Sequence, residues 1–357
     1  MAKGIMYVDN IRVEFDDEPT IMDVCRKAGV EMPNFCFHSD LSVYGACRMC
    51  MVEDLDTGKI DAACTTKPKN GMRIRTNTSR LLKYRRMILE LMLASHCRDC
   101  TACEKNRSCR LQEMAVRFGI HHVHFKDTRE HVPMDFSSPA VTFDLNKCIL
   151  CGDCVRVCKE VQGMSILHFA GRQPISTTHC VSCGQCAAVC TTGAITVKND
   201  IGAAWRALHD PQKRVVIQIA PAVRVAIGEA YGLPAGENVL DKLVTALKIM
   251  GADEIYDTIF GADLTVREES KEFLRRLETG ENLPLMTSCC PSWVRYVEQE
   301  RPQFIKNLSS ALSPMQMFAT VLKDKYREKD AADGRTTFHI AIMPCTAKKM
   351  EAGREEF

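Results

Sequence analysis

Eight cysteines in two consecutive runs set the chemistry of this chain. Cys148-x2-Cys151-x2-Cys154-x3-Cys158 is followed by Cys180-x2-Cys183-x2-Cys186-x3-Cys190. Each run has the spacing that wraps thiolates around a 4Fe–4S cubane, and two cubanes close together imply an electron path. Upstream, Cys36-x10-Cys47-x2-Cys50-x13-Cys64 encloses a short glycine-bearing loop, Tyr44 to Cys50. Four cysteines with one CxxC suit a 2Fe–2S cluster with backbone N–H groups facing its sulfurs. The spacing is not that of plant ferredoxins, which place four residues between the first two ligands. Between these groups lies His96-x3-Cys100-x2-Cys103-x5-Cys109, three cysteines and one histidine. His96 completes the set, and a neutral imidazole in place of a thiolate changes cluster charge and potential. Cys97 is the competing fourth ligand. Downstream, Thr287-Ser288-Cys289-Cys290-Pro291-Ser292-Trp293 and Met343-Pro344-Cys345-Thr346-Ala347-Lys348-Lys349 each put cysteine after a strand-like run. That is where α/β sheets carry their sites; buried structural thiols are the competing explanation.

Composition narrows the rest. The chain has 357 residues, 46% hydrophobic and 26% charged, which suits two to four globular domains. A net charge of +2 gives no sign of a nucleic-acid or anionic-membrane partner. The longest apolar stretches are interrupted by Arg, Pro or Glu, so no transmembrane segment is expected, and the first residues lack a secretory pattern. Twenty cysteines grouped by CxxC spacing fit metal ligation in a reducing, oxygen-poor cytoplasm better than a disulfide framework. Zinc fits poorly, because all four thiolates of each main run come from one short loop and turn.

The elements that must position these residues fall into four segments: 1–79, 80–120, 138–200 and 210–357. In the first, Ile5 to Phe15 alternates as strands around a turn at Asp9-Asn10, and Thr20 caps a helix over Ile21 to Ala28 that ends at Gly29. In the second, Leu81 to Ala94 has helical periodicity and leads into His96. In the fourth, Arg214 to Ile219 and Thr337 to Met343 read as buried strands. Val223 to Ala230, Leu240 to Met250 and Leu264 to Leu277 read as helices. Strands alternating with helices predict an α/β domain with a largely parallel sheet, and no GxGxxG or GxxxxGK motif marks a nucleotide site.

The first segment resembles the β-grasp ferredoxin domain at the front of complex I-type and hydrogenase chains. The second resembles the histidine-ligated cluster domain of the same families. The third resembles a bacterial two-cluster ferredoxin, in which the fourth cysteine of each run serves the other cluster. That resemblance groups Cys148, Cys151 and Cys154 with Cys190, and Cys180, Cys183 and Cys186 with Cys158. The proline that usually follows the last cysteine is absent; Thr191 stands there.

With Thr-Ser-Cys-Cys-Pro and Met-Pro-Cys-x-x-Lys in order behind these segments, the chain resembles the catalytic subunit of an iron-only (FeFe) hydrogenase over essentially its whole length. The resemblance implies an α+β multi-domain protein ending in the first part of an α/β hydrogenase domain. It also implies one 2Fe–2S cluster, three 4Fe–4S clusters and an H-cluster, a cubane joined through cysteine to a two-iron unit carrying CO and cyanide. Carried over by motif, Cys290 and Cys345 ligate the cubane and Cys289 relays protons to the two-iron unit. Lys348 donates to a cyanide, Met343 packs the pocket, and Ala220-Pro221-Ala222 lies against the unit. The implied proton route runs Cys289, Glu269, Ser309, Glu272, Arg276, through carboxylates of raised pKa. Glu269, Glu272 and Arg276 share one helix face. Where the family has Ser-Pro and two Gln, this chain has Ser313-Pro314-Met315-Gln316.

The implied reaction is 2H+ + 2e− to H2, reversibly, with electrons from a ferredoxin or from NADH-oxidising flavoprotein subunits. A non-catalytic electron-transfer subunit of complex I or formate dehydrogenase type shares the first 200 residues but not Cys289, Cys290 and Cys345. A sensory relative would not need the proton route. The family also has a third motif with two further cysteines. The sequence stops at Phe357 after Glu351 to Glu356, which reads as mid-helix. As given, the chain is therefore expected to be a fragment that carries accessory clusters without a complete H-cluster.

Overall fold

The computed structural model describes residues 4–127, 129–168 and 173–355. The last residues, Glu356 and Phe357, lie outside that range. The chain divides into two units. One takes in Met1–Ser137, Thr142–Cys180 and Gln185–Thr196; the other takes in Ser138–Val141, Val181–Gly184 and Val197–Phe357.

The first unit opens with β1 (Gly4–Val8) and β2 (Ile11–Phe15), paired antiparallel. Asp9 and Asn10 between them both have positive φ, 51° and 74°. Such a two-residue turn matches the twist of the flanking strands. β3 (Met51–Asp54), β4 (Ile60–Ala62) and β5 (Arg73–Arg75) complete a mixed sheet in the order β2-β1-β5-β3-β4. Helix α1 (Ile21–Lys27) starts at Thr20, whose hydroxyl accepts the Asp23 N–H. Its Ile21, Met22, Val24 and Cys25 pack with Met6, Val8, Val13, Phe15, Val52 and Ile74.

Helix α2 (Ser79–Ala94) is capped by Thr78, and α3 (Arg110–Arg117) follows the histidine-bearing segment. Buried Arg85 of α2 donates to the carbonyls of Met49 (3.0 Å) and Met51 (2.7 Å), pinning the helix to the Cys47–Cys50 loop. A second core joins Phe35, Cys36, Cys47, Met49, Leu89, Leu111 and Met114, with Cys109, Ile149 and Cys151 packed against it. Three cysteine loops thus share one apolar centre. The double run is bracketed by β6 (Val141–Phe143) and β7 (Ile195–Val197) and contains two one-turn helices, α4 (Asp153–Arg156) and α5 (Gln185–Ala188).

The second unit is built on β8 (Lys213–Ile219), β9 (Glu254–Asp257) and β10 (Thr336–Ile342), all parallel in the order β10-β8-β9. Its helices are α6 (Ile201–Leu208), α7 (Pro221–Ala226), α8 (Leu240–Ile249), α9 (Ile259–Thr279), α10 (Pro291–Glu300), α11 (Pro314–Asp333) and α12 (Ala347–Ala352). Alternation along β8 sends Val215, Ile217 and Ile219 into a core with Ala207 and Leu247, and Val216 into one with Phe318, Leu322 and Tyr326. Helices α9 and α11 cross where Gly261 sits: a Cβ there would lie 2.3 Å from the Pro314 carbonyl.

Four sequence expectations change. β10 is half-exposed rather than buried, because it is the sheet edge. The helix expected from Val223 starts at Pro221, whose fixed φ suits a first helical position, and tightens to a 3-10 turn over Ile227–Tyr231. The segment before Thr287 is not a strand: only Met286 pairs, with Leu308. The mid-helix reading fails within Glu351–Glu355, since α12 closes at Ala352 and the Gly353 N–H turns back to the Met350 carbonyl; Glu356 lies outside the described residues.

Candidate iron–sulfur and hydrogenase-type site

Cys36, Cys47, Cys50 and Cys64 are all buried, and their thiols meet in two pairs. Cys36 gives its hydrogen bond to Cys47, which pushes the Cys36 thiol up and lowers Cys47 to about 6. In the same way Cys64 is pushed up and Cys50 is lowered to about 7. The Phe35 N–H donates to Cys47 Sγ and the Cys47 N–H to Cys36 Sγ, both at 3.4 Å. Two thiol pairs with N–H groups on their sulfurs fit two irons, each taking two cysteines.

Past the end of α2, His96 is buried. Its Nδ1 accepts the Arg98 N–H at 3.1 Å, and its Nε2 is buried with no partner among the described residues. Burial, then the charges of Lys147 and Arg129, push its pKa down, which keeps the imidazole neutral as a metal ligand must be. His96, Cys97, Cys100, Cys103, Cys109 and Lys147 line one small cavity. An orphaned buried nitrogen among three cysteines fits an iron–sulfur cluster. Cys97 lines the same cavity. Lys147, which sequence reasoning missed, pairs with Asp144 at 3.0 Å. Burial works against its charge, but Asp144 and the thiols of Cys103 and Cys97 hold its pKa up. Its position next to Cys148 was the available signal.

In the double run, backbone N–H groups again point at sulfur: Leu150 to Cys148 (3.4 Å), Ile166 to Cys158 (3.4 Å) and Ile195 to Cys190 (3.3 Å). The Thr191 hydroxyl, where proline was expected, reaches Cys151 Sγ at 3.9 Å. Cys151 is pushed up to about 12, by burial and then by Asp153.

In the second unit, the parallel β8 and β10 bring their carboxyl ends together, and the Ala220 N–H donates to the Ile342 carbonyl at 3.0 Å. Ala220-Pro221-Ala222 and Met343-Pro344-Cys345 therefore leave the sheet side by side. Cys290 is the N-cap of α10 with Pro291 at its first turn. Cys289 and Cys290 are exposed and Cys345 is half-buried. Lys348 Nζ donates to the Cys289 carbonyl (3.0 Å) and pairs with buried Glu351 (2.7 Å), a partner sequence reasoning missed. Ser292 and Thr346, just past Cys290 and Cys345, donate to the carbonyls of Val181 and Ser182, both at 2.8 Å. At Gly184 (φ 73°) a Cβ would come within 2.4 Å of the Thr346 hydroxyl. The segment that carries Cys183 thus lies directly on both motifs.

Of the predicted proton route, the structure joins Ser309, Glu272 and Arg276. Ser309 Oγ donates to Glu272 at 3.0 Å, and Arg276 holds Glu272 at 2.5 Å. Glu269 Oε1 is buried without a hydrogen-bond partner among the described residues. The expected raised carboxylate pKa does not hold for Glu272. Burial pushes it up, but Arg276, the Ser310 N–H and the Ser309 hydroxyl outweigh burial and hold it below the ordinary range.

No helix among the described residues is long and apolar enough to cross a membrane. Residues 213–357 match the iron only hydrogenase large subunit, C-terminal domain. Residues 5–79 match a 2Fe–2S iron–sulfur cluster binding domain, 85–124 the NADH-ubiquinone oxidoreductase-G iron–sulfur binding region, and 140–191 a 4Fe–4S dicluster domain. The chain is 36% identical to the NADP-reducing hydrogenase subunit HndD of Solidesulfovibrio fructosivorans, over 100% of its own length and 65% of that protein. It is 33% identical to iron hydrogenase 1 of Clostridium pasteurianum, over 98% of its length and 63% of that protein. It thus spans just under two-thirds of the length of these relatives. A solved chain of an NAD+-reducing NiFe hydrogenase superposes with a TM-score of 0.51 at 29% identity, covering 55% of this chain and 88% of that one. On the ordered cysteine motifs, the match over residues 213–357 and the relatives aligned along its whole length, the chain belongs to the iron-only hydrogenase family.

Proposed function

We propose that this chain is the cluster-bearing part of a hydrogenase that interconverts protons, electrons and H2, with its active centre at Cys290 and Cys345. The observation that carries this reading is the seating of Val181–Gly184 on Ser292 and Thr346. An accessory-cluster cysteine, Cys183, is thereby held against the catalytic motifs. The accessory set is one 2Fe–2S cluster on Cys36, Cys47, Cys50 and Cys64, one 4Fe–4S cluster on His96, Cys100, Cys103 and Cys109, and two on the double run. These stand within domains at 1–79, 80–120 and 138–200, followed by a hydrogenase domain at 210–357. Electrons come from a ferredoxin or from NADH-oxidising flavoprotein subunits, in an oxygen-poor cytoplasm.

When bound, the iron centre supplies the place where electrons meet protons. The chain's own residues do the rest. Cys289 exchanges a proton at Sγ, and Lys348 fixes the Cys289 backbone through its carbonyl. Glu269 stands next along the route, with a carboxylate oxygen buried and unpartnered among the described residues. Ser309, Glu272 and Arg276 form the outer stretch of the route. Met343 and Ala220 to Ala222 shape the pocket at the sheet's carboxyl edge.

Anaerobic reconstitution with iron and sulfide tests the accessory set. EPR of the reduced protein is expected to show one 2Fe–2S signal and three 4Fe–4S signals; zinc in place of iron, or iron for a 2Fe–2S cluster alone, contradicts it. His96→Ala is expected to alter one 4Fe–4S signal and leave the 2Fe–2S signal unchanged, since only the cavity at the end of α2 loses a donor. Superimposable spectra from variant and parent would remove His96 from the ligand set.

A further inference from the structure

Arg156 sits in the turn between Cys154 and Cys158 and is 7% exposed. Its guanidinium reaches into another part of the same unit. One terminal nitrogen donates to the carbonyl of Ser42. The other donates to the carbonyl of Cys36 (2.8 Å) and to Asp153 Oδ1 (2.6 Å), which is itself 3% exposed. The guanidinium also lies over the Tyr44 ring, 5.5 Å from its centre. Its Nε is buried with no acceptor among the described residues. One helical turn on, Glu160 accepts the Ser42 N–H (2.8 Å) and the Ser42 hydroxyl (2.5 Å). Cys36 and Cys47 share an apolar core with Ile149 and Cys151.

We propose that Arg156 is a positioning residue that locks the Cys36–Cys47 loop onto the turn carrying Cys154 and Cys158, fixing the separation and redox coupling of the 2Fe–2S cluster and its 4Fe–4S neighbour. The planar fork satisfies two loop carbonyls and one buried carboxylate at once, which a lysine cannot do. Such outer contacts orient ligands and tune potential as much as the ligands do. Glu160 is the exposed second anchor of the same loop. The inference rests on the reading of Cys36, Cys47, Cys50 and Cys64 as a 2Fe–2S site.

The test uses the 357-residue chain, reconstituted anaerobically with iron and sulfide, with Arg156→Met and Arg156→Lys beside the parent. The microwave power that half-saturates the 2Fe–2S EPR signal reports its coupling to a reduced, faster-relaxing neighbour. That power is expected to fall several-fold in Arg156→Met and by less in Arg156→Lys, with the 2Fe–2S midpoint potential displaced in both. Equal saturation and equal potential in a fully loaded Arg156→Met protein overturn the inference. If Arg156→Met fails to hold the 2Fe–2S cluster, Arg156→Lys decides, and parent-like saturation and potential there overturn it. Absence of any 2Fe–2S signal from the parent overturns the cluster reading and this inference with it.

Discussion

Alanine at position 289 is expected to cut hydrogen turnover by a factor of about 10² to 10⁴, the usual contribution of a positioned general acid or base, while the metal centre still assembles. The reason is where each contact of Cys289 is made. Its backbone carbonyl accepts from Lys348 Nζ, and that bond survives removal of the thiol. What disappears is the Sγ proposed to exchange a proton. The neighbouring Cys290 occupies the N-cap position of α10 and is the proposed cubane ligand, so Cys290→Ala is expected to abolish assembly. In the protein carrying all H-cluster ligands, infrared bands of CO and cyanide separate the two. Bands kept in Cys289→Ala and lost in Cys290→Ala are the expected result. Bands and turnover both intact in Cys289→Ala would remove it from the proton route.

The second large effect is structural and electrostatic together. Arg276 and Glu272 form an ion pair with side chains only 7% and 10% exposed. Arg276 also donates to the carbonyls of Asn282 (3.0 Å), Asn307 (3.2 Å) and Leu308 (2.8 Å). Removing one partner of a buried pair costs about 3–5 kcal/mol, because a charge is left without its counterion. Arg276→Met is expected to lose stability on that scale in urea unfolding. The pH dependence has a definite sign. In the parent, Glu272 is held below the ordinary carboxylate range of about 4.3. Its contribution is therefore full above that range and is lost as pH falls through the lowered value. Without Arg276, Glu272 loses one of the contacts that hold it down but keeps the Ser309 hydroxyl and the Ser310 N–H. The deficit of the variant should therefore be full at neutral pH and shrink as pH falls through the ordinary carboxylate range of about 4.3 toward the lowered value of Glu272. A deficit that is small at neutral pH, or unchanged on acidification through that range, contradicts this account of the pair.

Local chemistry was legible in the sequence and long-range contact was not. The Asp9-Asn10 turn follows from two residues that tolerate positive φ, and Thr20 announces its helix by accepting an N–H group three residues on. The cysteine loops were legible because ligand spacing is itself local. By contrast, Ser292 to Val181 and Arg156 to Cys36 each bridge more than a hundred residues, and no periodicity foretells them. β9 is four half-buried residues with no alternation strong enough to mark it. Burial suggested a raised Glu272, and only the position of Arg276, Ser309 and Ser310 around it reverses the sign.

The most direct test of the whole account uses hydrogen gas as the only reductant. Added anaerobically to the protein carrying its accessory clusters and a complete active centre, H2 should give up two protons and two electrons. The 4Fe–4S and 2Fe–2S EPR signals should then appear without any other donor. If dithionite reduces those clusters and hydrogen leaves every one of them oxidised, the path from Cys290 and Cys345 through Cys183 to the accessory clusters does not exist.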